Sequence, residues 1–194
     1  MNLNHANILR FYGCFDDTDN IYLVLEHAGG GNLYRLLQNE KEKRFSELQA
    51  ARYVMELAAA LQYIHRKDVI HRDIKPENIL VGNDGMTLLA DFGWSIRTGD
   101  RRNTVCGTLD YMPPEMMKPG SDENSYSKKI DSWSLGVLIY EFLVGKPPFE
   151  DSDILTQRRI ANCEMTVPEH VSPEAKDLIE RVSLTAQLNT GLES

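Results

Sequence analysis

The chain has 194 residues, with 29 Asp and Glu against 21 Lys and Arg, for a formal net charge of −8. Hydrophobic residues make up 42% and charged residues 26%, ordinary globular proportions that exclude disorder along the whole chain. The acid excess argues against a nucleic-acid or anionic-membrane surface, which calls for clustered Lys and Arg. The length suits one domain, or one lobe of something larger.

Met1 to His5 lacks the basic flank and apolar run of a secretory signal. Cys14, Cys106 and Cys163 form no C-x-x-C pair, so neither a disulfide framework nor a zinc knuckle is indicated, and reduced thiols of the cytoplasm or nucleus are expected. Ile8 to Tyr12 and Ile21 to Leu25 are β-branched and aromatic runs around the polar turn Asp16 to Asn20, which predicts a hairpin. After Gly29, Gly30 and Gly31, Asn32 is placed to cap a short helix through Leu37. Ser46 followed by Gln49 is a capping box, and Tyr53, Leu57, Leu61 and Ile64 recur at helical spacing, predicting a long amphipathic helix ending near Lys67.

From Val69 to Leu89 short apolar pieces are broken by Pro76 and by Gly82 to Gly85, which predicts a loop and a second small hairpin. Asp91 to Pro119 shows no period and reads as a long functional loop. Ile130 to Val144 is apolar on nearly every face and stops at Gly145, the pattern of a helix buried all round. Its most apolar stretch, Trp133 to Tyr140, is too short to span a bilayer. Two more helices are expected, near Ile154 to Ala161 and from Ser172 to about Leu184. The coarse reading is one β-hairpin attached to a mainly helical body.

Three motifs carry the chemistry. His71-Arg72-Asp73-Ile74-Lys75-Pro76-Glu77-Asn78 matches H-R-D-L-x-x-x-N with Ile for Leu, Asp91-Phe92-Gly93 follows, and Met112-Pro113-Pro114-Glu115 stands where A-P-E would close the segment. A lone Asp or Asn in a loop is usually a solvated turn residue, but this ordered set reads as phosphoryl-transfer machinery. The chain here resembles the eukaryotic protein kinases, which implies an α+β, protein-kinase-like fold: a mainly helical C-lobe with only a remnant β-hairpin of the N-lobe. The implied division is 1–25 N-lobe remnant, 26–31 hinge, 32–182 C-lobe and 183–194 divergent tail.

By that resemblance Asp73 orients the substrate hydroxyl and accepts its proton, and Lys75 stabilises charge on the phosphoryl group. Asn78 and Asp91 ligate Mg²⁺, with water and ATP phosphates completing the octahedron. Glu26, His27 and Ala28 stand at the hinge that bonds adenine, with Leu25 as gatekeeper and Leu80 as adenine floor, although both leucines read equally well as core. Thr104, after Arg101-Arg102, is the expected activation phosphosite, pinned by Arg72 once phosphorylated. Thr108 is expected to contact the catalytic aspartate, and Glu77 to meet both ATP and a substrate arginine. Asp131 is expected to hold the catalytic-loop backbone, and Glu115 to be a buried structural carboxylate.

Asp91-Phe92-Gly93-Trp94-Ser95, the run from Arg101 to Met116 and Phe142-Leu143-Val144-Gly145-Lys146-Pro147-Pro148-Phe149-Glu150 narrow the resemblance to the Aurora kinases, over about Leu3 to Val182. This implies a Ser/Thr kinase of cell division that uses ATP and Mg²⁺ on basic protein substrates. Spindle or chromosomal-passenger regulators, and a place at the spindle, centrosome or chromosomes, are implied as well. No direct nucleic-acid or membrane partner is expected.

The sequence contains no G-x-G-x-x-G-x-V and no V-A-I-K, the pieces that roof ATP and hold its α/β-phosphates. Met1 then reads as an internal methionine. The tail holds no arginine to pair with Glu115, and the hairpin's strand edge is left uncovered. The chain alone is therefore expected to be marginally stable and nearly inactive. The alternative is a catalytically impaired form acting as a binding or competitor module.

Overall fold

The computed structural model describes residues 3–98, 107–117 and 127–185. The chain opens with β1 (Phe11–Asp16) and β2 (Ile21–Leu25), an antiparallel pair whose turn is closed by Asp17 Oδ1 accepting from the backbone N–H of Asp19 and Asn20. The first strand begins three residues later than the sequence predicts. Ile8 leaves the hairpin and is buried against the helical body, where Leu9 N–H donates to Leu89 O and Leu89 N–H to Asn7 O. A β-branched residue with a core pocket and a backbone partner available stays there, and local strand preference yields to it.

α1 (Leu33–Asn39) is capped by Asn32 Oδ1, which accepts from Arg35 N–H at 2.9 Å. α2 (Glu47–Arg66) is capped by Ser46, whose hydroxyl accepts from Gln49 N–H. Only half of the expected capping box forms, because the Gln49 side chain turns to the Tyr53 hydroxyl. The buried stripe of α2, including Tyr53, Leu57, Ala60, Leu61 and Ile64, faces the core. β3 (Val69–Ile70) precedes the H-R-D motif, and β4 (Ile79–Val81) pairs with β5 (Thr87–Leu89) in the expected second hairpin. Glu56 fastens that hairpin to α2: its Oε2 accepts from both Thr87 N–H and Thr87 Oγ1 at 2.7 Å.

β6 (Ile96–Arg97) was not foreseen in the segment after Asp91. It pairs with β3, and two-residue strands of this kind are held by their long-range partner, with too little sequence for a periodic signal. α3 (Lys129–Val144) is buried on every side and ends at Gly145, whose φ of 92° is left-handed. A Cβ there would lie 2.7 Å from Lys43 O, so both conformation and space select glycine. α4 (Asp153–Asn162) and α5 (Pro173–Thr185) complete the described helices, α5 lying along α3. Phe45, Tyr53 and Phe142 meet edge to face where α2 starts and α3 ends, and Trp133 stacks on Phe149 at 5.7 Å between ring centres.

No helix among the described residues is long and apolar enough to cross a membrane. The β1–β2 hairpin differs from the rest: every residue of β2 is exposed, Ile21 by 77%, and Phe11, Tyr12 and Phe15 of β1 are exposed too.

Candidate active site

β3 and β6 pin the chain on either side of the two central motifs, and Asp131 in the first turn of α3 holds the bend between. Its Oδ2 accepts from His71 N–H and its Oδ1 from Arg72 N–H, both at 2.9 Å, and it is fully buried. His65, from the end of α2, donates Nε2–H to the same carboxylate at 2.7 Å. Arg72 is thereby kept at a φ of 71°, a conformation that needs such outside support in a non-glycine residue. Its Nε donates to Trp94 O at 2.7 Å, joining the H-R-D loop to the residue after D-F-G.

Burial holds the His71 imidazole below its ordinary pKa, so it is neutral, and its bonds fix the tautomer. Nε2–H donates to Ala90 O at 2.9 Å, and Nδ1 accepts from Asp73 N–H at 3.3 Å. One buried ring therefore aligns the backbone of Asp73 with the residue before Asp91. Ala90 N–H also donates to Asn78 O at 2.9 Å.

Three of the expected residues converge on one carboxylate. Asp73 Oδ2 accepts from Asn78 Nδ2 at 2.8 Å and faces Lys75 Nζ at 3.3 Å, and Asn78 Nδ2 donates to Asp73 O as well. Lys75 Nζ in turn donates to Thr108 Oγ1 at 2.9 Å, so Thr108 is linked to Asp73 through the lysine, where a direct contact was expected. Asp73 and Asn78 are buried, whereas Asp91 is exposed, in a left-handed conformation at φ 57° with its Oδ1 accepting from Gly93 N–H. Among the described residues no group of three or more His, Cys, Asp or Glu is placed to hold a metal ion. Asn78 and Asp91 are consistent with a Mg²⁺ that takes most of its ligands from water and phosphate. Asn78 commits its amide nitrogen to Asp73, which leaves the carbonyl oxygen as the atom with hard-ligand chemistry.

Glu26 closes the base of the hairpin, donating N–H to Arg10 O and accepting from Arg10 N–H through Oε2. Gly30 N–H donates to Val81 O and Val81 N–H to Gly31 O, fastening the segment after Ala28 to β4. A Cβ on Gly30 would meet Val81 at 2.8 Å, so this close approach requires glycine. Leu25 is 44% exposed, Leu80 and Ala28 are half-buried and His27 is exposed, so neither leucine is a sealed core residue. Glu77 is exposed in the turn Pro76–Asn78. Glu115 is half-buried and has partners, so the cost foreseen for a sealed, isolated carboxylate does not arise in that form. Thr104, Arg101 and Arg102 lie outside the described residues, as does 186–194 of the tail.

Sequence reading overlooked two members of this region. His65 is one. The other is Glu141, a buried acid in the apolar α3 that accepts a hydrogen bond from the Tyr111 hydroxyl. A second carboxylate in a helix otherwise apolar was the available signal. Burial, reinforced by the carboxylates of Glu77, Asp110 and Glu150 and opposed by the Tyr111 bond, pushes Glu141 up to about 7. A folded-state pKa above the unfolded 4.5 means the stabilisation is complete below pH 4.5 and is lost as pH rises through 7. The wild type is expected to lose about 3 kcal/mol more than Glu141→Gln between those limits, read from urea unfolding at a series of pH values. Parallel curves for the two proteins would refute it.

The protein kinase domain model matches residues 1–187. The chain is 54% identical over 184 residues to an Aurora kinase of Schizosaccharomyces pombe, covering 93% of this chain and 50% of that one. It is 53% identical over 182 residues to Aurora kinase A-B of Xenopus laevis, covering 93% and 43%. An Aurora kinase of Patiria pectinifera is 52% identical over 179 residues, covering 91% and 43%. The chain belongs to the protein kinase family and, within it, to the Aurora kinases. It spans about half the length of these curated relatives.

Proposed function

We propose that the chain forms the substrate and phosphoryl-transfer side of a serine/threonine kinase, moving the γ-phosphate of ATP to Ser or Thr hydroxyls in basic peptides. The observation that carries this is the Asp73 carboxylate, buried yet bonded by both Lys75 and Asn78. Asp73 takes the proton of the substrate hydroxyl as its oxygen bonds to the γ-phosphorus and the bond to ADP breaks. Lys75 sits beside that carboxylate, where its charge offsets the phosphoryl oxygens. Asn78 and Asp91 would hold Mg²⁺, which would supply charge neutralisation at the phosphates. The backbone from Glu26 to Ala28 receives adenine, bounded by Leu25 and Leu80, and Glu77 faces a substrate arginine. Phosphorylation of Thr104, captured by Arg72, switches the segment on. A mitotic setting at the spindle, centrosome or chromosomes, with regulators there, follows from the Aurora relationship.

A second reading is a catalytically impaired chain that keeps substrate or regulator contacts and competes for them. The exposed hairpin favours it, since Leu25, the residue expected to border adenine, is 44% exposed there. The deciding assay follows label from ATP and Mg²⁺ into a peptide with Arg-Arg ahead of a serine, over hours. Label on the serine supports the first reading. No label, with peptide-competitive inhibition of an intact Aurora kinase, overturns it and establishes the second.

A further inference from the structure

β2 belongs to a two-stranded sheet, and among the described residues β1 is the one strand beside it. Such a hairpin is marginal in water without a further strand or a helix against it. Glu26 N–H donates to Arg10 O, and Asn20 O accepts from Asp17 N–H, so both residues turn their backbone groups toward the β1 side. In an antiparallel strand the N–H and C=O of one residue point the same way, and the direction alternates along the chain. Tyr22 and Val24 therefore face β1 as Asn20 and Glu26 do. The N–H and C=O groups of Ile21, Leu23 and Leu25 point outward and form an open edge.

We propose that this edge is the interface of a homodimer, in which β2 pairs antiparallel with β2 of a second copy about a two-fold axis at Leu23. Leu23 then lies beside the Leu23 of the second copy and Ile21 beside its Leu25, so each outward N–H and C=O gains a partner. Tyr22 lies beside Val24, and every cross-strand pair within the strand is apolar or aromatic. Beyond the strand the same register sets Asn20 against Glu26 and Asp19 against His27, so no like charges are opposed. A register centred on Tyr22 would instead set Asp19 against Leu25.

The area is sufficient for a stable pair. Eight large apolar side chains of the hairpin are 40–77% exposed. At roughly 100–200 Å² for each such side chain, the hairpin presents about 400–900 Å² of apolar surface. The largest patch on a monomer is usually about 300–600 Å², and a standard interface takes about 800 Å² from each partner, a little over half of it apolar. The other edge of the hairpin is less suited. β1 is interrupted by a bulge between Phe11 and Gly13 and ends at Asp16, whereas β2 has no bulge, glycine, proline or charge. None of this involves Asp73, so the pairing and the catalytic reading can fail separately.

The test is sedimentation velocity of the 194-residue chain over a concentration series, in which a reversible shift from 22.1 kDa to twice that mass is expected. Leu23→Lys sets two ammonium groups side by side at the axis and should weaken the dimer at least about tenfold, since like charges directly opposite destabilise a strand pair. Leu23 is 60% exposed, so the monomer accepts the lysine, and circular dichroism checks that each variant is folded. Leu23→Glu alone should weaken the dimer likewise, and an equal mixture of the Lys and Glu variants should restore it. Leu48→Lys, at a position on α2 that is 84% exposed, should leave it unchanged. Amide exchange at Ile21, Leu23 and Leu25 should slow as the dimer forms. A monomer at every concentration, a dimer indifferent to Leu23→Lys, or a Lys and Glu mixture that stays monomeric overturns the pairing. Growth into species larger than a dimer also overturns it, as does equal dissociation by lysine-flanked Thr-Val-Thr-Val-Thr and lysine-flanked Ile-Tyr-Leu-Val-Leu peptides, which would show an edge open to any strand.

Discussion

Asp131→Ala is expected to destabilise the chain by about 3–5 kcal/mol, the range for breaking a buried ion pair by removing one partner. The carboxylate is fully buried and accepts from two backbone N–H groups and from His65. Alanine leaves those donors in the interior with nothing to bond, at about 1–3 kcal/mol for each buried group left so. These contributions overlap and do not simply add. The left-handed Arg72 also loses the support that keeps it there. Asp131→Asn retains one accepting oxygen and should fall between alanine and the wild type. Urea unfolding of the three proteins is the measurement, and an alanine variant within about 0.5 kcal/mol of wild type, the usual range for a surface change, would show that the loop is held by other means.

Asp73→Asn should leave stability nearly untouched and reduce phosphoryl transfer by roughly 10²- to 10⁴-fold, the usual contribution of a positioned general base. An asparagine oxygen still accepts from Asn78 and Lys75, so the local bonds survive the exchange. What it cannot do is take up the proton of the attacking hydroxyl. The loss should therefore fall on kcat, with little change in KM for the peptide. A variant whose kcat stays within about threefold of wild type would remove Asp73 from the proton-accepting role. A matching fall in unfolding midpoint would reassign it to structure.

The residues differ in how plainly the sequence announced them. Asn32, Ser46 and Gly145 mark helix ends through local chemistry, and the structure uses each of them so. Ile8 misled because strand preference is local, whereas the backbone it joins belongs to Leu89, eighty-one residues on. β6 was invisible for the same reason: two residues paired with Val69 and Ile70 leave no period to read. The order of the motifs placed Asp73, Lys75 and Asn78 near one another, but not the route by which Thr108 joins them, which runs through the lysine amine. His65 and Glu141 were missed because their significance lies in partners 66 and 30 residues away.

Two backbone attachments among the described residues tie the ends of the exposed hairpin to the β4–β5 hairpin. One is the backbone exchange of Asn7 and Leu9 with Leu89, and the other is that of Gly30 and Gly31 with Val81. Glu56 in turn clamps Thr87 of that hairpin to α2, so a disturbance of β4–β5 reaches the exposed hairpin at both of its ends.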